Sequence, residues 1–260
     1  MALPHPDTDQ LSALTQRLRR AGCVFAEDEA ALITATARTP GDIDRMARHR
    51  CAGVPLQHAL GWAEFCGLRL RVDPGVFVPR PRSEFLARQA AALSPPTGLA
   101  VDLCCGTGAL GAALTHHHPA LELHAADIDP ASLACARHNL PRAHLHQGDL
   151  FDALPDHLAH SIDILLANVP YVPSGHIPLL PSEARDHEQH RALDGGHDGL
   201  DLLRRVSDQA PHWLAPGGHL LVEVSQDQAP AARDAFTRAG LTCRVDHCPE
   251  QEATVITGTL

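Results

Sequence analysis

Two glycines and three carboxylates, each at the end of an apolar run, are the first residues of this chain whose types and spacing could do chemistry. The stretch Asp102-Leu103-Cys104-Cys105-Gly106-Thr107-Gly108 closes one such run. Glycines at 106 and 108 let a backbone turn tightly and come close to a ligand. A helix start behind them would offer free amides to a carboxylate. The spacing is not GxGxxG, which disfavours a dinucleotide pyrophosphate, and a glycine pair alone also fits an ordinary strand–loop–helix turn. Asp127 ends the next run, inside Ala125-Ala126-Asp127-Ile128-Asp129, where a carboxylate can accept both hydrogen bonds of a ribose diol. Gly148-Asp149-Leu150 follows a third run; Asp149 can accept from an adenine amino group and Leu150 can lie against the ring. Taken alone, Asp149 reads more often as a loop residue. Together the three positions describe a site for an adenosyl group with an amino-acid tail, the shape of S-adenosylmethionine.

A fourth constellation, Asn168-Val169-Pro170-Tyr171, contains the one tyrosine of the chain. A proline turn closing a strand would account for Val-Pro-Tyr by itself. The chemical reading is a clamp for a planar amino group. The Asn168 side-chain oxygen and the Val169 carbonyl can each accept one N–H, and Tyr171 can stack on the plane. Val169 precedes a proline and is therefore held extended, which fixes where its carbonyl points. An amide nitrogen is a poor nucleophile, because its lone pair is delocalised. Two acceptors that orient it toward a sulfonium methyl supply most of what such a displacement needs. The proton can leave late, so no strong general base is obligatory, and no His–carboxylate pair stands out as one. The metal readings are weak. Cys243, His247 and Cys248 fit no zinc spacing, and His116-His117-His118 reads as a solvated helix end before Pro119. No metal is expected.

These residues need elements to hold them. Gly98–Leu103, Leu121–Asp127, His144–Gln147, Ile162–Ala167 and His219–Val224 read as strands. Helical patterns over Ala109–His117, Ser132–Leu140, Leu200–Leu214 and Ala229–Ala239 alternate with them, with Pro216-Gly217-Gly218 as a turn. Cys243–His247 and Ala253–Thr257 would close the sheet as an antiparallel pair. Such alternation gives a mostly parallel sheet covered on both faces, with ligands outside the carboxyl ends of its strands. Upstream, from about Asp7 to Gly53, the pattern is helical throughout: Leu11, Leu14 and Leu18 recur at helical spacing, as do Ala30, Ile33 and Ala37. Pro40-Gly41 breaks the second helix and Asp42 can cap a third. Between the two regions, Ala63–Phe65 and Leu68–Val72 flank Cys66-Gly67 as a hairpin. The division read here is a helical unit over residues 1–55, a hairpin linker over 56–81 and the α/β unit over 82–260.

The bulk composition sets limits. A chain of 260 residues makes one or two domains. Aromatics are 3% against 44% hydrophobic residues overall, so the core is built from Leu, Val, Ile and Ala. The formal charge is −10 and no lysine is present, which argues against a nucleic acid partner. No apolar run reaches the roughly 18 residues of a membrane span, and the N-terminal residues lack a basic region followed by an apolar one. Eight scattered cysteines without CxxC pairing read as free thiols of a cytoplasmic protein.

With those residues in view, the chain resembles the HemK/PrmC family of protein-(glutamine-N5) methyltransferases. The resemblance is carried by Pro55–Gly61, by Val78-Pro79-Arg80-Pro81-Arg82-Ser83-Glu84, by the Asn168–Tyr171 motif, by Pro173, Glu183, Arg185 and Glu188, by Ala192–Leu200, and by Glu223 and Gln228. It implies a Rossmann-like class I methyltransferase fold, with a mostly parallel seven-stranded sheet and a helical N-terminal domain that recognises substrate. It implies methyl transfer from S-adenosylmethionine to a glutamine side chain of a protein, such as a release factor or a ribosomal protein. The catalytic set would be Asn168, Val169, Pro170 and Tyr171. The cofactor set would be Arg80, Asp102, Cys104, Gly106, Gly108, Asp127, Ile128, Asp149, Leu150 and Asn168. The family's signature is Asn-Pro-Pro-Tyr. Here Val169 keeps the carbonyl and loses the locked φ of the first proline. Other acceptors stay open on the residues alone: a small-molecule amino or amide group, or the exocyclic amine of adenine. So does a non-catalytic module that only binds the cofactor.

Overall fold

The computed structural model describes residues 8–260. Asp7, at the head of the expected helical stretch, lies outside the described residues. Helices α1 (Thr8–Arg20), α2 (Ala26–Thr36) and α3 (Pro40–Cys51) bury Leu14, Leu18, Ala30, Ile33, Met46 and Ala47 against one another, forming a small core of their own. One expectation is corrected here. Pro40-Gly41 opens α3, and its cap is Thr39, not Asp42. The Thr39 hydroxyl accepts from Asp42 N at 3.2 Å, while Asp42 Oδ2 accepts from Thr39 N at 3.0 Å. This reciprocal box satisfies two amides, and proline in the first turn has no N–H to leave unpaired.

A short helix, α4 (Leu56–Leu60), leads into the hairpin of β1 (Trp62–Phe65) and β2 (Leu68–Arg71). Its two turn residues, Cys66 and Gly67, both have positive φ, 49° and 72°, which matches the twist of a two-residue hairpin.

The main sheet contains β3 (Gly98–Leu103), β4 (Leu121–Asp127), β5 (His144–Gln147), β6 (Ile162–Ala167), β7 (Leu214–Val224), β8 (Thr242–Cys248) and β9 (Ala253–Thr259), in the order β5-β4-β3-β6-β7-β9-β8. The first five in that order run parallel; β9 is antiparallel to both β7 and β8. This is the seven-stranded, mostly parallel class I methyltransferase sheet. Alternate strand residues feed two cores, as a period of two requires. On one face Val101, Leu103 and Leu165 pack with Phe151, Leu203, Val206 and Phe236, the last three from α9 (Asp201–Trp213) and α10 (Ala229–Arg238). On the other, Ala100, Ile164 and Leu166 pack with Leu86, Leu110, Leu114 and Leu133 from α5 (Glu84–Leu93), α6 (Ala109–His117) and α7 (Pro130–Asn139).

The expected turn at Pro216-Gly217-Gly218 is a bulge within β7. The register against β6 jumps between Ile162↔Leu214 and Ile164↔His219. After the motif, α8 (Ser182–His187) is followed by the buried Glu188. Among the described residues no helix is long and apolar enough to cross a membrane. The chain leaves β3 toward β4 and β5 on one side and toward β6 on the other, so a crevice opens where β3 and β6 end.

Candidate active site

A cavity of about 760 Å³ fills that crevice. Its wall includes Arg80, Cys104, Gly106, Asp127, Ile128, Asp149 and Leu150, and every residue from Asn168 to Tyr171. Two expected site residues, Asp102 and Gly108, are not on the wall. Asp102 is buried beneath the glycine loop, where Oδ2 accepts from Gly111 N at 2.9 Å and Oδ1 has no partner. Burial pushes its carboxyl up to about 7. It braces the first turn of α6. Gly108 caps that helix with φ 77°, and a Cβ there would stand 2.6 Å from Leu140 Cδ1. Its task is close packing of α6 on the end of α7.

On the wall, Gly106 has φ 55° and a Cβ there would meet nothing within 4 Å, so glycine serves the backbone conformation and leaves open space beside the loop. Its N–H donates to Asp127 Oδ2 at 2.8 Å, and Asp129 N donates to Asp127 Oδ1 at 2.9 Å. Each carboxylate oxygen is thus anchored by one amide and keeps accepting capacity for a second donor. Burial raises the Asp127 carboxyl above the usual range, against the pull of those two amides. Cys104 adopts φ 56°, and burial pushes its thiol far above the ordinary range, so it stands as a neutral wall residue. Ile128 is half exposed at the rim and Leu150 is buried with φ 50°. Asp149 is engaged elsewhere: its Oδ2 accepts from Arg205 Nη2 at 2.7 Å. Arg80 is held by Glu188, Nη2 to Oε2 at 2.5 Å, with its guanidinium 4.6 Å from the Phe77 ring centroid. Glu188 also takes Val78 N at 3.2 Å.

The Asn168–Tyr171 segment follows directly from β6. Asn168 Nδ2 donates to the buried Ser83 Oγ at 3.4 Å, and Oδ1 has no partner among the described residues. The Val169 carbonyl likewise accepts no hydrogen bond among the described residues, while the Val169 side chain is buried in the core under α9. Two successive residues of the wall therefore each carry an oxygen that no described residue engages. Tyr171 is pinned at both ends. Its hydroxyl donates to Glu223 Oε1 at 3.0 Å, and its carbonyl accepts from Gln228 Nε2 at 2.8 Å. Arg82 Nε donates to the same Glu223 oxygen at 3.1 Å, and its guanidinium lies 5.5 Å from the Tyr171 ring centroid. Burial holds the Tyr171 phenol neutral.

The segment after the motif acts as a splint. Val172 N donates to Leu193 O at 3.0 Å, and Gly195 N donates to Val172 O at 2.9 Å. A Cβ on Gly195 would come within 2.6 Å of Gly199 O and 2.7 Å of Pro170 O, so only glycine lets these backbones meet. The resemblance named Gly195, Gly199, Glu223 and Gln228, but their tasks emerge only in three dimensions. Ser83 and Arg205 went unread as site residues. Their sole sequence signals were a position after Pro-Arg-Pro-Arg and a place on a helix face. No histidine lines the cavity wall among the described residues. The arrangement can hold and orient a planar amino group beside a polar, diol-accepting pocket.

Comparison with known proteins fits that geometry. The family model described as "Methyltransferase small domain" matches residues 67–178. A release factor glutamine methyltransferase of Streptomyces coelicolor is 37% identical over 259 residues, covering 92% of this chain and 92% of the relative. A 4-amino-L-phenylalanine/4-methylamino-L-phenylalanine methyltransferase of Streptomyces pristinaespiralis is 33% identical, covering 77% of this chain and 75% of its own. Among solved structures, a methyltransferase from Pyrococcus furiosus superposes with a TM-score of 0.59 at 16% identity, covering 81% of this chain and 98% of that one.

Proposed function

The chain belongs to the release factor glutamine methyltransferase family and is an S-adenosyl-L-methionine-dependent N-methyltransferase; we propose that its acceptor is the side-chain amide of a glutamine in a protein of the release-factor kind. One observation carries this reading. Asn168 and Val169, whose Oδ1 and carbonyl have no partner among the described residues, line the same cavity as the doubly anchored Asp127. The pair matches the two N–H bonds of a primary amide.

The residues present fit the methyl donor. Asp127 would take the ribose hydroxyls, and the space beside Gly106 admits the amino-acid tail. Ile128 and Leu150 would bound the adenine, and the volume of about 760 Å³ lies in the usual range for such ligands. When bound, S-adenosylmethionine supplies an electrophilic methyl on a positively charged sulfur. The chain's own part is to hold the glutamine nitrogen in line and keep its plane fixed against Tyr171. In this reading Asp149 contributes only if Arg205 shares it.

The helical unit over residues 1–55, joined through 56–81 to the transfer unit over 82–260, would help dock the protein substrate. Arg50 of α3 supports this assignment. It pairs with Glu29 at 2.6 Å and also reaches Glu183 of α8 at 2.7 Å, on the cavity wall, so the helical unit is tied to the mouth. We place the protein in the cytoplasm, where its eight free thiols stay reduced.

The test is transfer of labelled methyl from S-adenosylmethionine to a purified bacterial release factor, with mass spectrometry to locate the label. The expected outcome is one methyl on a glutamine side chain. The relative that acts on an amino-phenylalanine supports a second reading, an arylamine acceptor. Labelling of 4-amino-L-phenylalanine with no labelling of the release factor would replace the first reading with the second.

A further inference from the structure

The outer edge of the sheet carries a group of side chains for which methyl transfer has no use. β4 and β5 pair in parallel with His124 opposite His144 and Ala126 opposite His146. Residues two apart on a strand share a face, so Glu122 and His124 of β4 project beside His144 and His146 of β5. The convergence is tight. Glu122 Oε1 stands 3.2 Å from His124 Nε2 and 3.6 Å from His144 Nε2. All three ligand atoms lie within 4.8 Å of one another, the one group of its kind among the described residues.

We propose that Glu122, His124 and His144 form a binding site for one divalent transition-metal ion of the Zn²⁺ type, with solvent completing the coordination. Neighbouring ligands on a tetrahedral ion with metal–ligand bonds of about 2.0–2.1 Å stand about 3.3 Å apart. The two measured separations bracket that value. The His144–Glu122 separation is too long for a hydrogen bond and suits a shared ion. The remaining ring nitrogen of His124, Nδ1, lies 2.8 Å from His146 Nε2, the outer partner that orients a ligating imidazole. In the metal-free protein a proton on His124 Nε2 bridges to Glu122. With an ion there, both imidazoles shift tautomer: the His124 proton moves to Nδ1 and donates to His146 Nε2, the His146 proton moves to its Nδ1, and His124 Nε2 becomes the ligand.

The surroundings favour occupancy. His124 is buried, with its ring stacked on those of His144 and His146 at centroid distances of 4.6 and 5.1 Å, so its position is fixed before any ion arrives. Glu122 and His144 are exposed, His144 on the edge strand β5 and Glu122 on the neighbouring β4, which gives an ion a path in from solvent. An ion held there would join β5 to β4 immediately before Gly148, Asp149 and Leu150, which line the cavity.

The test uses the full-length chain, untagged and stripped with a chelator. Zn²⁺ is titrated by calorimetry and Co²⁺ by visible absorption, with melting curves confirming that each metal-free variant folds. One equivalent of Zn²⁺ is expected, with Co²⁺ giving the intense bands of four-coordination. His144→Ala and Glu122→Gln should each weaken binding at least about tenfold, and His146→Ala by about 10–100-fold. Replacing both His116 and His117 by Ala should leave it unchanged. Absence of stoichiometric binding would overturn the proposal. So would binding that survives both His144→Ala and Glu122→Gln, or binding that disappears with the His116 and His117 pair.

Discussion

Replacing Asn168 by alanine should separate catalysis from folding and from cofactor binding. Among the described residues the Asn168 amide makes one long hydrogen bond, 3.4 Å to Ser83, and its Oδ1 makes none. Truncation therefore costs the fold at most about 1 kcal/mol. The reaction loses more. As the acceptor nitrogen attacks, it gains positive charge, and its hydrogen bond to Oδ1 becomes one to a charged group. Such a bond is worth about 1.5–3 kcal/mol, or about 10- to 150-fold in rate at about 1.36 kcal/mol per decade. A nitrogen held by the Val169 carbonyl alone also rotates out of line, and a misplacement of about 1 Å costs on the order of 100-fold. The product is a loss of about 10³- to 10⁴-fold in single-turnover methyl transfer. Asp127 and the Gly106 loop are untouched, so the dissociation constant for S-adenosylmethionine by calorimetry should move less than about threefold, RT ln 3 being under about 1 kcal/mol. Transfer within tenfold of the parent rate would refute the clamp. Loss of cofactor affinity in step with rate would show that Asn168 serves the cofactor instead.

Asp102→Asn should flatten part of the pH dependence of stability. The folded carboxyl, at about 7, lies above an unfolded value of about 3.9, so the folded state holds the extra proton and stability falls as pH rises from about 4 to about 7. Melting temperatures should show the parent losing ground to the variant across that window, and a constant difference would exclude the effect. Gly195→Ala forces a Cβ against two carbonyl oxygens at 2.6 and 2.7 Å and should cost about 1–3 kcal/mol in denaturant unfolding, while raising KM for the acceptor. Arg50→Ala strands the buried Glu29 carboxylate and should destabilise the helical unit by about 3–5 kcal/mol, read by loss of hydrogen-exchange protection in residues 26–51.

Much of the fold was legible because its strands are short apolar runs and its helices are periodic. The limits expected for β3, β4, β5, β6 and α6 match the structure. Errors arose where local signals compete. Pro40-Gly41 reads as a break, yet proline in a first turn starts a helix as readily as it ends one. Pro216-Gly217-Gly218 reads as a turn, yet neighbouring strands carry the pairing past it as a bulge. The site was legible as positions and not as connections. Asp102 sits one strand residue from the glycine loop, and the pleat turns it under α6. Asp149 fits an adenine acceptor in one dimension, and only the fold brings Arg205 to it across 56 residues. Glu122, His124 and His144 carry no recognisable spacing, since one member comes from the neighbouring strand.

Val169 stands where the resemblance leads one to expect a proline, and the structure offers a physical account of how its carbonyl is held there. A proline at this position would fix φ by its ring. Valine leaves φ free in an isolated chain, so something else must hold the carbonyl. Three constraints converge on it. Pro170 keeps Val169 extended, and the isopropyl group is buried in the core with Leu200 and Leu203. Downstream, the backbone is splinted through Val172, Gly195 and Gln228. The orientation that a ring would supply locally is supplied here by packing. Orientation is also nearly all that the wall provides. No histidine lines it among the described residues, Tyr171 is kept neutral, and Glu223, whose Oε1 takes Tyr171 and Arg82 while Oε2 stays unpartnered among the described residues, is not on the wall. A wall without histidine among the described residues points to alignment and to partial charges on Asn168 and Val169. That requirement favours an acceptor with two N–H bonds in one plane over a hydroxyl or thiol, which would need its proton removed first.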